Sequence, residues 1–152
     1  MIRKAEATDE TEIRACAEQA YARYVSLLGR KPAPMAADFH AQIAAGDAYI
    51  AADANGVLQG FIVFYPEKDH ILLENVAVLP SAAGRGIGKA LIGFCEDMAR
   101  QRGFDSVHLY TNEKMIENLS MYPRLGYVEV RRCTEDGFNR VFFEKRLTGP
   151  VQ

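Results

Sequence analysis

Three glycines alternate with larger residues in Gly84-Arg85-Gly86-Ile87-Gly88-Lys89, where an apolar strand gives way to an amphipathic helix. With no Cβ at these positions, a ligand can come close to the main chain. The first N–H groups of a helix have no partner inside it, and the helix dipole favours an anion there. Arg85 and Lys89 add positive charge. The pattern reads as a diphosphate-binding loop; the plainer alternative is a glycine turn that only lets strand and helix pack closely. A nucleoside triphosphatase loop would put glycine where Ala83 stands and a hydroxyl residue where Ala90 stands. The dinucleotide pattern G-x-G-x-x-G also fails, because the spacing here is G-x-G-x-G. Asp105, about 20 residues on, precedes the next strand instead of ending it, so it is poorly placed for a ribose.

Other reactive groups are scattered. Glu74 lies two residues before Val76 and shares its face of a strand, whereas Asn75 points the other way and cannot titrate. His70 falls in a turn and His108 shares a face with Tyr110, so both read as surface or packing residues. Cys16, Cys95 and Cys133 are far apart, and none has the neighbouring His or helix start that would lower its pKa. A covalent cysteine route is therefore discounted. Without a C-x-x-C pair, no metal site is expected.

These groups need a frame. Ile71–Leu79 is apolar enough for a strand, and Pro80–Arg85 turns out of it because Pro80 has no N–H to donate. From Gly86 a helix follows, with Ile87, Leu91, Phe94 and Met98 as its apolar face, Lys89, Glu96, Asp97 and Arg100 between them, and Gly103 as its stop. Upstream, Ile2–Ala5 suits an edge strand. Asp9 with Glu12 makes an acidic capping box for a helix through Ile13, Ala17, Ala20, Tyr21 and Tyr24, which Gly29 ends. Gly29–Met35, with its two prolines, reads as a stiff connector. Asp38 caps a short helix to Ala45, with Phe39 and Ile43 facing inward. Strands Ala48–Ala52 and Val57–Tyr65 flank the hairpin turn Asp53–Gly56, and Pro66–His70 is a polar turn. Downstream, Ser106–Thr111 alternates as a strand, parallel to Ile71–Leu79 because a helix joins them. A short helix in Asn112–Leu125 should kink or end near Pro123. Tyr127–Thr134 and Phe138–Leu147 form a hairpin on Asp136-Gly137, and the last five residues are a loose tail.

The chain of 152 residues fits a single domain, 1–152, with one core. At 49% hydrophobic and 25% charged residues it is an ordinary globule. A net charge of −2 without a basic run argues against nucleic acid. No apolar run has the length of a membrane span, and the first residues lack a signal core. An odd cysteine count of 3 fits reduced thiols in a cytoplasm.

The run VAVLPSAAGRGIGKAL resembles the signature of the GCN5-related N-acetyltransferases (GNATs), [Gln/Arg]-x-x-Gly-x-[Gly/Ala] after a strand ending in Val-x-Pro. Gly86 and Gly88 match its glycines, and Val76, Val78 and Pro80 match its strand end; Ala83 replaces the usual Gln or Arg. A second match follows: Tyr122 lies four residues before Gly126-Tyr127, which is similar to the family's Gly-[Phe/Tyr]. The resemblance runs from Ile2 to Leu147. It implies an acyl-CoA N-acyltransferase fold: α/β, with a mixed, mostly antiparallel central sheet, a splayed parallel strand pair and flanking helices. It implies acetyl-CoA as cosubstrate, and Gly29–Met35 as one wall of the acceptor pocket rather than only a connector. The cofactor would be held by the backbone of Val76, Ala77 and Val78, by Gly84, Arg85, Gly86, Ile87, Gly88 and Lys89, and by Asn118. The family's usual Asn position falls on Met115, one turn before Asn118. Tyr122 would be the general acid for the coenzyme A thiolate and Glu74 the general base. The implied reaction is direct attack by a primary amine, small molecule or peptide, in a ternary complex, with a homodimer left open. The rival readings are a non-catalytic acyl-CoA-binding regulatory module of the same fold and a nicotinamide-dependent oxidoreductase.

Overall fold

The computed structural model describes residues 1–147; the expected tail lies outside them. Seven strands form one mixed sheet, in the order β1-β2-β3-β4-β5-β7-β6. The strands are β1 (Ile2–Lys4), β2 (Ala48–Ala52), β3 (Leu58–Glu67), β4 (His70–Val78), β5 (Ser106–Asn112), β6 (Val128–Glu135) and β7 (Phe138–Arg146). The helices are α1 (Glu10–Leu28), α2 (Phe39–Ala44), α3 (Ile87–Gln101) and α4 (Ile116–Arg124). The chain divides into two compact units, Met1–Tyr65 with Glu74–Cys95, and Pro66–Leu73 with Glu96 onward.

In the first unit, β1 pairs antiparallel with β2 and β2 with β3. The β2–β3 turn forms as expected: Gly56 sits at φ 80°, and Asp53 Oδ1 accepts from the N–H groups of Asn55 and Val57. Aromatic rings fill the core. Phe39 meets Phe61 edge-on at 5.5 Å, Tyr49 stacks on Phe64 at 5.2 Å, and Phe94 leans on Tyr49 at 4.9 Å. Phe39, Phe61 and Phe64, fully buried, each stabilise the fold by roughly 1.5–3 kcal/mol before entropy is counted. Ile13, Ala17, Tyr21 and Tyr24 of α1 are buried as their spacing predicts, Ala20 is only half-buried, and Gly29 ends the helix at φ 74°. Asp38 caps α2, accepting from the Ala41 N–H.

Three local expectations change. The capping box ahead of α1 is Glu6 with Asp9 rather than Asp9 with Glu12. Asp9 turns back to accept from the Glu6 N–H at 2.7 Å and from Arg3 at 2.9 Å, because a guanidinium lies within reach on β1. The turn between β3 and β4 is only Lys68-Asp69, with Lys68 at φ 56°, and Pro66 belongs to the exposed end of β3. The buried stripe of α3 is Leu91, Ile92, Cys95, Glu96 and Ala99, one residue round from the expected face.

In the second unit, the parallel ladder of β4 and β5 joins Ile71 to Val107 and Leu72 to His108, at the start of both strands. β5 pairs with β7, and β7 with β6, both antiparallel. Asp136 at φ 53° and Gly137 at φ 80° make the tight β6–β7 turn that the sequence predicts. β6 is an edge strand with Val130 bulged between Glu129 and Arg131; Val128 and Val130 are exposed. Glu96, expected on a solvated face, is buried instead. It accepts from the Tyr127 hydroxyl at 2.9 Å and pairs with Lys145 at 3.0 Å, so the charge is compensated.

Candidate active site

β4 ends at Val78, and a single 3-10 turn, Pro80–Ala82, leads into the glycine loop. Gly84 and Gly86 have φ of 80° and 77°, where an L side chain is strained, and α3 starts at Ile87. A Cβ on either glycine would meet nothing within 4 Å. Gly88 differs: it lies in α3, and a Cβ there would only make ordinary contact with Val78 Cγ2 at 3.6 Å. Close packing of the chain on itself therefore does not explain the glycines of this loop. Arg85 and Lys89 are exposed beside it. The first helical bond runs from the Ala90 N–H to the Gly86 carbonyl, so the amides before Ala90 lie outside the ladder of α3.

Along the same strand burial alternates. Glu74, Val76 and Val78 share a half-exposed face, and Asn75 and Ala77 are buried on the other. A Cβ on Gly60 of β3 would come within 2.7 Å of the Ala77 carbonyl oxygen, so glycine is required there to seat β4. Asn75 accepts from the Tyr21 hydroxyl at 2.8 Å and donates to the Pro34 carbonyl at 3.0 Å. These bonds tie α1 and the Gly29–Met35 connector to β4 one residue from Glu74. The Glu74 carboxylate accepts from the Tyr65 hydroxyl at 3.0 Å and from the Gln42 side-chain amide. Gln42 and Tyr65 carry no motif: their meeting with Glu74 depends on how α2 and β3 pack, which no local spacing records.

In the second unit, Asn118 of α4 donates to Thr111 Oγ1 at 3.1 Å. Tyr122, only 4% exposed, packs edge-on against Tyr127 at 5.7 Å and tilted against Phe143 at 5.7 Å. Pro123 falls in the final turn of α4, which ends one residue later at Arg124. Its ring removes the N–H that would have bonded the Leu119 carbonyl, and the helix stops within a residue. His70 and His108 stack face to face, centroids 3.7 Å apart, and His108 Nε2 lies 2.8 Å from Glu144. Burial, and then the neighbouring His70 charge, push the His108 pKa down against the pull of Glu144. Burial pushes the Cys16 thiol up to about 12, the wrong direction for a nucleophile. Among the described residues, no three His, Cys, Asp or Glu side chains gather as metal ligands. No helix among them is long and apolar enough to cross a membrane.

Residues 13–127 match the model of the acetyltransferase (GNAT) family. The chain belongs to the GNAT family. The GNAT match includes β4, the glycine loop, Asn118, Tyr122 and Gly126-Tyr127, and it runs through both compact units. The chain is 28% identical over 81 residues to streptothricin acetyltransferase of Streptomyces lavendulae, covering 52% of this chain and 43% of that one. It is 33% identical over 78 residues to mycothiol acetyltransferase of Clavibacter michiganensis subsp. michiganensis, covering 51% of this chain and 26% of that one. The chain thus spans less than half the length of these two relatives. Among solved structures, the PaiA N-acetyltransferase of Thermoplasma acidophilum in complex with coenzyme A superposes with a TM-score of 0.78 at 18% identity, over 96% of this chain and 98% of that one. At that identity the likeness establishes the GNAT fold, a mixed sheet with one parallel strand pair and flanking helices.

Proposed function

We propose that this GNAT chain, as one domain, moves the acetyl group of acetyl-CoA to a primary amine of a small molecule or peptide, by direct attack in a ternary complex. The observation that carries the reading is the loop after β4: two glycines at positive φ, open space around them, helix-start amides and two cations, within the family match. That donor set fits a diphosphate. Acetyl-CoA supplies the activated thioester, and everything else falls to side chains and main chain. The amides of Gly84–Lys89 hold the linked phosphates. The backbone at Val76, Ala77 and Val78 pairs with the amide-bearing arm, as an added strand would, and one of its N–H groups polarises the reacting carbonyl. Glu74 takes the proton the ammonium must lose before its nitrogen can attack. As the new C–N bond forms and the C–S bond breaks, Tyr122 gives its hydroxyl proton to the departing thiolate; the new amide nitrogen sheds its extra proton to solvent, and the phenolate is reprotonated. Asn118 orients the cofactor arm. Three cysteines that form no disulfide, two of them buried, support work in a reducing compartment such as the cytoplasm.

Titration calorimetry with acetyl-CoA and with NAD tests the cofactor, and thiol release over a panel of amines tests the reaction. Acetyl-CoA should bind and NAD should not; the reverse result ends the reading. Gly86→Val should weaken acetyl-CoA binding by about tenfold or more, because a side chain would both strain φ and fill the space the phosphates need.

A further inference from the structure

Gln42 is the one described residue with a buried side-chain polar atom lacking a partner: its carbonyl Oε1. Its amide nitrogen donates to Glu74 Oε2, while Glu74 Oε1 accepts from Tyr65. Turning the amide over would set its carbonyl against the carboxylate and leave the nitrogen orphaned instead, so neither orientation satisfies the whole group. A buried acceptor without a donor is unfavourable, and its persistence calls for a donor supplied from outside.

We propose that Gln42 is a specificity residue: beside Glu74, its unpartnered carbonyl accepts an N–H of the incoming acceptor and selects a protonated alkylamine over a neutral aryl amine. This rests on the reading of Glu74 as the group that takes the amine's proton. The two residues offer a carbonyl and a carboxylate, both acceptors, to a head group that carries only donors. An alkylammonium fits such a pair; an aryl amine, uncharged near neutral pH, gains far less from it. One N–H of the ammonium gives its proton to Glu74. A second N–H stays on the Gln42 carbonyl and fixes the direction of the nitrogen lone pair. Tyr65 and the Gln42 amide hold the carboxylate in one orientation while this happens. The Asn75–Pro34 bond fixes the connector ahead of α2 to the same strand.

The test compares Gln42→Met and Gln42→Glu with the parent protein, using spermidine and L-lysine as alkylamines and 4-aminobenzoate as the neutral amine. Gln42→Met keeps the volume and removes both the carbonyl and the amide that holds Glu74, whereas Gln42→Glu removes only the amide donor, so the two together isolate the acceptor. It should raise the KM for the alkylamines about tenfold, leave acetyl-CoA affinity within about twofold, and narrow the preference over 4-aminobenzoate. Gln42→Glu restores an acceptor and should hold the alkylamine KM at or below the parental value. Unchanged alkylamine KM in both variants overturns the proposal, with an ordered water as the donor instead. Equal losses of amine and acetyl-CoA affinity overturn it too, as general distortion. A second readout does not depend on turnover: spermidine should shift the NMR signals of the Gln42 side-chain amide in the parent protein, and no shift sinks the proposal. If acetyl-CoA fails to bind the parent protein, the acetyl-transfer reading falls, and this second readout still decides the role of Gln42.

Discussion

Tyr122 carries two readings in one side chain. Its ring is built into the packing around Tyr127 and Phe143, and its hydroxyl is the proposed proton donor. Tyr122→Phe separates them because it keeps the ring. Turnover in the thiol-release assay should fall by about a hundredfold, within the usual range for a general acid, with acetyl-CoA affinity nearly unchanged. An undiminished turnover would return Tyr122 to a purely structural role. At this scale the sequence was informative where the proposed chemistry sits in consecutive residues. The glycine loop, the Glu74–Val76 face and the Tyr-x-x-x-Gly-Tyr run could all be read directly. Gln42, Tyr65 and the Tyr21–Asn75–Pro34 chain could not, because their partners lie far away in sequence and their own neighbours follow no pattern.

Among the elements, β4 holds most of the proposed site, and two contacts along it invite measurement. Gly60 leaves room for the Ala77 carbonyl, so Gly60→Val should destabilise the protein by about 1–3 kcal/mol in urea unfolding, by forcing β3 and β4 apart. A variant as stable as the parent would show that the strands can yield there. At the start of β4, His70 stacks on His108, with Glu144, Glu67 and Asp69 close by. Folding lowers the His108 pKa, so below the unfolded value near 6.5 the unfolded chain binds more protons than the folded one. Stability should therefore be fully present above about pH 6.5 and fall as the pH drops towards the folded pKa. His108→Gln should flatten that fall in melts between pH 7.5 and pH 5, and an unchanged slope would assign it to other groups. The elements themselves were largely legible, since strands, turns and helices follow local periodicity and glycine placement. The facing of α3 was not. Its apolar residues fit two adjacent stripes, and Lys145 and Tyr127 draw Glu96 inward to settle which one is buried.

For the whole molecule, the family match runs through both compact units, which supports treating them as one domain. A saturating ligand then stabilises the entire fold. At about 100 times its Kd, acetyl-CoA should contribute about 2.7 kcal/mol and raise the midpoint of a single thermal transition by roughly 5–10 °C. NAD should leave the midpoint where it is. Two separate transitions, with only one moved by acetyl-CoA, would contradict a one-domain reading.

β6 closes one side of the sheet and offers a row of main-chain groups to any passing strand. The bulge at Val130 breaks that row's regular spacing, and Glu129, Arg131, Arg132 and Glu135 put charges of both signs along it. Two molecules meeting there cannot keep in step for more than a few residues. Concentrated solutions of the protein should stay free of fibres despite the two valines left in water.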